Sequence, residues 1–212
     1  MESVFSSNNK LFNAVEKCMD LIKLNLLWML FCIPVVTAGA STCALHEMAS
    51  KMAAGEDGYV LKPFVRAFRR YFVRATKVWI PFLLAGAGIA ADVLFWMGVS
   101  GGMAMVMRGV VTVMGALYLL LSVYLFPLVV RTETSWSVLI RNCVLLTFKY
   151  LPRTLYMVLW LLIVFFAGRV WALGMWIVFF AGGSGVALIH AHCLNRIFEK
   201  EEKMNREAEN EV

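Results

Sequence analysis

Residues 105–130 read MVMRGVVTVMGALYLLLSVYLFPLVV, an apolar run that carries a single charge, at Arg108. An α-helix needs about 20 consecutive apolar residues to cross the hydrocarbon core of a bilayer. Further stretches of similar character lie near 24–45, 79–99, 152–171 and 175–194. The sequence therefore predicts an all-α, polytopic transmembrane helical bundle of about five spans, in a single integral membrane domain over residues 1–212.

The composition of the whole chain agrees with this class. Of 212 residues, 61% are apolar or aromatic and 16% are charged, and the mean hydropathy is +0.74. Soluble domains are about 45–50% apolar and about 25% charged, so a soluble globular protein and a separate soluble catalytic domain are excluded. The net charge of +6 is explained by basic residues that anchor loops at a membrane, and nucleic acid is not an expected partner. The five cysteines are scattered without a CxxC pair, which predicts free thiols.

Polar segments flank the predicted spans. Residues 1–23 have one apolar helical face and predict an amphipathic helix that leads into the membrane. Residues 46–77 hold seven of the twenty basic residues, and their apolar positions recur at helical spacing. They predict a basic, cytoplasmic amphipathic helix on the membrane surface, and 195–212 predicts a charged cytoplasmic tail. The residues expected to contact anionic lipid or a soluble partner are Arg66, Arg69, Arg70 and Arg74.

The distribution of Lys and Arg predicts the orientation, because cytoplasmic loops are enriched in both. If residues 24–45 cross once, fifteen basic residues lie on one side and five on the other, with the N-terminus outside and the C-terminus in the cytoplasm. If residues 24–45 form a re-entrant first segment before four spans, the division becomes eighteen to two. The charge rule favours the re-entrant arrangement. The segment is short for entering and leaving a membrane, which favours a single crossing.

Pro34, Thr37 and Gly39 interrupt the first apolar stretch. Proline removes a backbone donor and bends a helix, and unwound backbone inside a membrane must be buried in protein or face water. The segment is therefore either an ordinary proline kink or a break whose amide groups offer hydrogen bonds to a polar ligand. All three residues are candidate functional residues.

Asp92 is the only acidic residue well inside a predicted span. Ionisable residues in membranes are costly and commonly functional, which makes Asp92 a candidate substrate or proton site. Arg108 follows at a similar distance on the other side of the predicted turn at 100–102. An antiparallel hairpin would let the two form a structural ion pair near the outer surface, and both interpretations stay open.

The remaining polar residues give weak signals. His190 and His192 lie two residues apart, which places them about 200° apart around a helix. We therefore expect interfacial histidines and no metal site. Gly182–Gly185 predicts close helix packing. The sequence contains no phosphate loop, nucleophile elbow or HExxH motif, so neither an enzyme activity nor a cofactor is predicted.

Four runs carry a family resemblance: LNLLW at 24–28, IPVVTAGAST at 33–42, GEDGY at 55–59 and NRIFEK at 195–200. Together with Phe64 and Phe68 they resemble the YesL family of bacterial membrane proteins, also called DUF624. The resemblance implies a multi-pass protein of the bacterial cell membrane, without established catalytic residues, whose relatives are encoded beside genes for carbohydrate uptake and degradation.

The resemblance therefore implies an accessory, assembly or regulatory component of carbohydrate uptake. Its expected partners are membrane lipids and sugar ABC-transporter subunits. The alternative is a small stand-alone membrane transporter that acts as a homo-oligomer.

Overall fold

A computed structural model describes residues 2–56, 58–170, 176 and 178–210, and shows seven α-helices there. They are α1 (Glu2–Cys32), α2 (Ala38–Ala53), α3 (Leu61–Met97), α4 (Gly102–Arg131), α5 (Trp136–Lys149), α6 (Leu151–Val170) and α7 (Gly183–Asn210). A 3-10 turn (Val35–Thr37) separates α1 from α2, and a π-helical turn (Val178–Gly182) precedes α7. These ranges contain no strand, so the all-α prediction is confirmed.

Two of the described helices, α3 and α4, are each long and apolar enough to cross a membrane. Helices α5 and α6 meet the same criterion only as a pair, which is bent by 98°. These helices indicate a membrane protein, and α3 and α4 contain most of the predicted spans 79–99 and 105–130. The tight turn expected around 173–174 lies outside the described residues, so crossings near 152–171 and 175–194 stay predictions.

Residues 24–45 do not form one continuous span. Helix α1 ends at Cys32, Pro34 begins the 3-10 turn, and α2 then returns along α1. The Trp28 indole Nε1 donates to Thr42 Oγ1 (3.3 Å), and Ser41 Oγ donates to the Trp28 carbonyl (2.9 Å). These bonds require an antiparallel arrangement, which we call the α1–α2 hairpin (residues 24–53). The chain reverses at the residue that cannot donate a helical hydrogen bond, so these residues do not form the continuous helix of a single crossing, and a re-entrant segment stays a prediction.

Helix α3 differs from the prediction of a separate basic helix on the membrane surface. It runs unbroken for 37 residues, a length of about 55 Å, so the basic segment and the following apolar span are one helix. Its basic half buries Phe64, Ala67, Tyr71, Ala75 and Val78, which recur at helical spacing on the face towards α2. The helix continues through Pro81, although proline cannot donate a helical hydrogen bond, so neither this residue nor the change from polar to apolar composition ends the helix.

The bundle has two ends of different character. One end contains residues 61–78 of α3, and we call it the basic end. Its core contains the fully buried side chains of Leu24, Phe64, Tyr124 and Ile197. At the far end, α3 and α4 continue as a helical hairpin whose connection includes Gly101, with φ of +128°, a conformation that favours glycine. Large apolar side chains are exposed along this far hairpin (residues 80–118), including Leu84, Leu94, Met105 and Val113.

Candidate functional site

Pro34 and Thr37 form the closed turn of the α1–α2 hairpin. Thr37 Oγ1 lies 2.6 Å from the Phe31 carbonyl and 2.8 Å from the Pro34 carbonyl, both of which accept from it. The indole of Trp79 donates to the Val35 carbonyl at 2.7 Å. These bonds satisfy the Phe31 carbonyl, which the end of α1 leaves without a helical partner, and two carbonyls of the turn itself. The segment is therefore a turn fixed by side chains and not a simple kink.

Gly39 allows α2 and α3 to approach closely. A Cβ atom at this position would lie 2.5 Å from Trp79 Cβ and 3.2 Å from the Ala75 carbonyl oxygen. The structure thus brings Pro34, Thr37 and Gly39 together at one junction of α1, α2 and α3. Each has a packing or hydrogen-bonding role in that junction.

Asp92 lies far from this junction. Its side chain is exposed near the end of α3, and Arg108 is exposed near the start of α4. Arg108 Nε donates to the Ala104 carbonyl (3.2 Å), and Arg108 Nη2 donates to the Val99 carbonyl (3.5 Å). Over the described residues, no ion pair joins Asp92 to Arg108. The expected intramolecular pair is not formed, because the guanidinium turns to carbonyls at the end of the hairpin.

The four candidate arginines of α3 divide into two groups. Arg74 is half-buried and donates to the carbonyls of Thr132 and Thr134, which ties α3 to the connection between α4 and α5. Arg66, Arg69 and Arg70 are exposed, and we call them the arginine patch. In the part of the chain that the structure describes, no carboxylate lies within ion-pair distance of the patch. The patch can therefore receive an acidic partner, whereas Arg74 is already engaged.

His46 and His190 meet inside the bundle, a contact that sequence analysis did not predict. Their rings stack with centroids 6.4 Å apart and planes 13° apart. His190 is buried in the bundle, and its Nε2 donates to the Met157 carbonyl at 3.0 Å, since a carbonyl only accepts. His46 Nδ1 is buried and has no hydrogen-bond partner among the described residues. His192 has a different neighbour, the guanidinium of Arg196 at 3.3 Å.

Both histidines line a cavity of about 590 Å³ between α1, α2, α4, α6 and α7. Most of the lining is apolar, including Phe126, Leu161 and Val186. Two lining hydroxyls already donate to carbonyls of their own helices, Thr42 to Ala38 (2.8 Å) and Ser122 to Leu119 (2.7 Å). A sugar would bring many hydroxyls that need partners. The chemistry of this cavity suits an apolar occupant and not a carbohydrate.

Asn25 is a structural residue that the sequence analysis noted only as part of a family run. Its side chain is fully buried, with Nδ2 donating to the Phe179 carbonyl (2.7 Å) and Oδ1 accepting from the Ser184 amide (3.0 Å). It thereby links α1 to the π-helical turn and to the start of α7. A Cβ at the adjacent Gly183 would lie 2.7 Å from the Trp28 ring, so close packing at the glycine run is confirmed there. The detectable signal was an amide side chain inside an apolar run.

Comparison with models of protein families gives a match over part of the chain. Residues 21–93 match the model of a protein family described as "Protein of unknown function, DUF624". The match covers about a third of the chain and contains the α1–α2 hairpin and most of α3. The family resemblance is therefore confirmed over this segment. No curated protein and no solved structure matches the chain.

Proposed function

We propose that this chain is an accessory component of carbohydrate uptake in the bacterial cell membrane, and that it docks a partner protein through the arginine patch. The observation that carries the docking proposal is the exposure of Arg66, Arg69 and Arg70 without carboxylate partners in the described chain. Such a cluster attracts an acidic surface and speeds its association. The link to carbohydrate rests on the family resemblance, and sugar ABC-transporter subunits are the proposed partners.

Distances along α3 favour a protein over lipid headgroups as the main contact of the patch. Lys77 is the exposed charge nearest to the apolar half of α3, so we place the membrane boundary near it. Arg66 lies eleven residues earlier, about 16 Å along the helix at 1.5 Å per residue. The headgroup region is only about 5–8 Å thick on each side. The patch then projects into water, and lipids contact the apolar part of the helix.

The α1–α2 hairpin supports a cytoplasmic position for the patch. Because the hairpin returns the chain to the side where it began, eighteen of the twenty Lys and Arg residues fall on one side. Only Arg108 and Arg169 remain on the other side. By the positive-inside rule the basic end, including the C-terminal tail, is cytoplasmic. Soluble and membrane-bound importer subunits are both accessible there.

A stand-alone homo-oligomeric transporter has less support. Asp92 and the Pro34 turn lie at separate places, and neither belongs to the residues that line the cavity of about 590 Å³. That cavity is mostly apolar, so it offers a polar solute few partners. The accessory role needs no polar path through the bundle.

The docking proposal is tested by co-purification from the native host grown on polysaccharide. Tagged protein is extracted in mild detergent, and sugar-importer subunits are quantified by mass spectrometry. We expect the triple variant R66E/R69E/R70E to recover about tenfold less of these subunits, because like charges then face the acidic partner. The charge-conserving triple Arg→Lys variant and the exposed control Arg141→Glu on α5 should recover wild-type amounts.

Two results would contradict the proposal. One is full recovery of importer subunits by the reversed variant at normal membrane abundance. The other is sugar uptake into proteoliposomes that contain this chain alone, which would favour the transporter.

A further inference from the structure

The cavity of about 590 Å³ has an exposed apolar side and a polar end inside the bundle. Phe165 on α6 and Phe179 in the π-helical turn both line it, and both are exposed at the surface of the bundle. On α7 the lining runs from Gly183 to His190, seven residues or about 10 Å along the helix. His190 is buried at the end of this run, where His46 stacks on it. The cavity is therefore a slot that runs from two exposed phenylalanines to two imidazoles.

The hydrogen-bonding side chains along the slot are engaged, except at the imidazole end. The Trp28 indole donates to Thr42 Oγ1 at 3.3 Å, and the Thr42 hydroxyl donates to a carbonyl of its own helix. Ser122 also donates within its own helix. His46 Nδ1, by contrast, is buried without a hydrogen-bond partner in the described part of the chain. A buried polar atom without a partner costs free energy, and a ligand that pairs with this imidazole would recover it.

The charge of the lining limits the ligand's polar group. Among the described residues that line the slot there is no Asp, Glu, Lys or Arg. A phosphate or carboxylate would therefore lose its water of hydration without gaining an opposite charge. A hydroxyl group both donates and accepts, so it can pair with an imidazole nitrogen in either tautomer. The volume of the slot lies within the range of about 300–1,000 Å³ found for small-molecule sites.

We propose that the slot binds a neutral lipid alcohol, with its hydrocarbon chain along α7 and its hydroxyl group hydrogen-bonded to the His46 imidazole. In a bilayer the exposed Phe165 and Phe179 meet lipid tails, so such a molecule can enter the slot directly from the membrane. Fatty acids and phospholipids share the hydrocarbon chain but carry a charge that the slot does not neutralise. This inference is independent of the arginine patch, because no residue of the patch lines the slot.

The test compares photoreactive probes that share one long hydrocarbon chain and differ at its end: a primary alcohol, its methyl ether and the corresponding carboxylate. Full-length protein in lipid nanodiscs is irradiated with each probe, and labelled residues are identified by mass spectrometry. We expect the alcohol to label slot residues such as Leu161 and Val186 about tenfold more than the other two probes do. The ether lacks the donor hydrogen, and the carboxylate brings an unpaired charge.

Two variants of slot residues separate the hydrogen bond from the space. His46→Phe keeps an aromatic ring but removes both nitrogens, so labelling by the alcohol should fall about tenfold while labelling by the ether stays unchanged. The unchanged ether signal shows that the slot is intact. Val186→Trp should fill the slot and abolish labelling by both probes. Its matched control Leu159→Trp, exposed on α6 and outside the slot, should change neither signal.

The comparison of probes on the wild type can overturn the proposal without any variant. Carboxylate labelling of the slot that equals or exceeds that of the alcohol would contradict a neutral ligand. Labelling confined to outer residues such as Leu159 would contradict binding in the slot. Alcohol labelling that survives His46→Phe undiminished would contradict the role of the imidazole.

Discussion

In the basic half of α3 a residue is buried at every third or fourth position as far as Val78, whereas no residue of α3 after Val78 is buried. The basic half packs against the α1–α2 hairpin and carries the arginine patch. The far half contacts mainly α4 and exposes Leu84, Leu94 and Met97. One continuous helix thus passes from a protein core to an exposed apolar surface.

This difference teaches that the stability of the bundle depends on the basic end. Buried side chains, the fixed turn at Pro34 and most hydrogen bonds between helices lie there, while the far hairpin is held by fewer contacts. Similar substitutions should therefore have unequal effects at the two ends. The following four comparisons test that expectation. Three pair a change at the basic end with a related change at the far end, and one compares two arginines within the basic half of α3.

Gly39→Ala should have the largest effect. The new Cβ would lie 2.5 Å from Trp79 Cβ, and both atoms are fixed to helix backbones, so α2 and α3 must separate. We expect a loss of about 3 kcal/mol in the free energy of unfolding, measured by denaturation in mixed micelles. At the far end, Gly102→Ala meets nothing within 4 Å and should change stability by less than about 0.5 kcal/mol. Equal losses of unfolding free energy at the two positions would contradict the expectation that stability depends on the basic end.

Asn25→Leu should cause the second-largest loss of stability. It leaves the Phe179 carbonyl and the Ser184 amide without the partners that they have now, at a cost of about 2–3 kcal/mol. The far-end counterpart Thr112→Val removes a hydroxyl that donates to the Arg108 carbonyl of its own helix, and should cost less than about 0.5 kcal/mol. The same unfolding measurement applies. A stable Asn25→Leu protein would show that α7 does not depend on this link.

Arg74→Gln should lower the stability of the bundle, whereas Arg66→Gln should weaken docking of the partner. Arg74 is half-buried and bonds the Thr132 and Thr134 carbonyls, so its loss should cost about 1–2 kcal/mol. Arg66 is exposed, and its replacement should leave the unfolding free energy within about 0.5 kcal/mol while reducing recovery of importer subunits. A stability loss from Arg66→Gln, or reduced recovery of importer subunits from Arg74→Gln at unchanged stability, would contradict the distinction between the arginine patch and Arg74.

Tyr→Phe substitutions give the smallest and most closely matched contrast. Tyr124 Oη lies 2.9 Å from Thr154 Oγ1 in the core, and Tyr118 Oη donates to the Phe82 carbonyl at 3.2 Å in the far hairpin. Removing a buried hydroxyl that leaves its partner unsatisfied should cost about 1 kcal/mol at Tyr124 and about half of that at Tyr118. A larger loss at Tyr118 would indicate that the far hairpin contributes more to stability than its packing suggests.

Sequence analysis identified the fold class, the apolar half of α3 and helix α4, because long apolar runs report directly on solvent preference. It did not decide the path of residues 24–45, since Pro34 is compatible with both a kink and a reversal. Tertiary contacts decide that path: the indole of Trp79 bonds the turn, and Gly39 admits α3. The local pattern contains neither contact.

The roles of the candidate site residues also depend on tertiary contacts that the local sequence pattern does not contain. Helical spacing placed the arginines of α3 on a polar surface but did not distinguish Arg74, whose partners lie after α4. The stacking of His46 and His190 joins residues far apart in the chain, and no periodicity signals it. The ion pair considered between Asp92 and Arg108 is not formed among the described residues, and the functional role of Asp92 stays a prediction.

The central claim is that the basic end receives a sugar-importer subunit while the far end does not, and site-specific photo-crosslinking tests it most directly. A photoreactive residue replaces Lys62, exposed beside the arginine patch, or Leu94, exposed on the far hairpin, in cells grown on polysaccharide. We predict an importer-subunit adduct from position 62 that the R66E/R69E/R70E background abolishes, and only lipid or self-adducts from position 94. An importer adduct from position 94, or one from position 62 that survives charge reversal, would contradict the account.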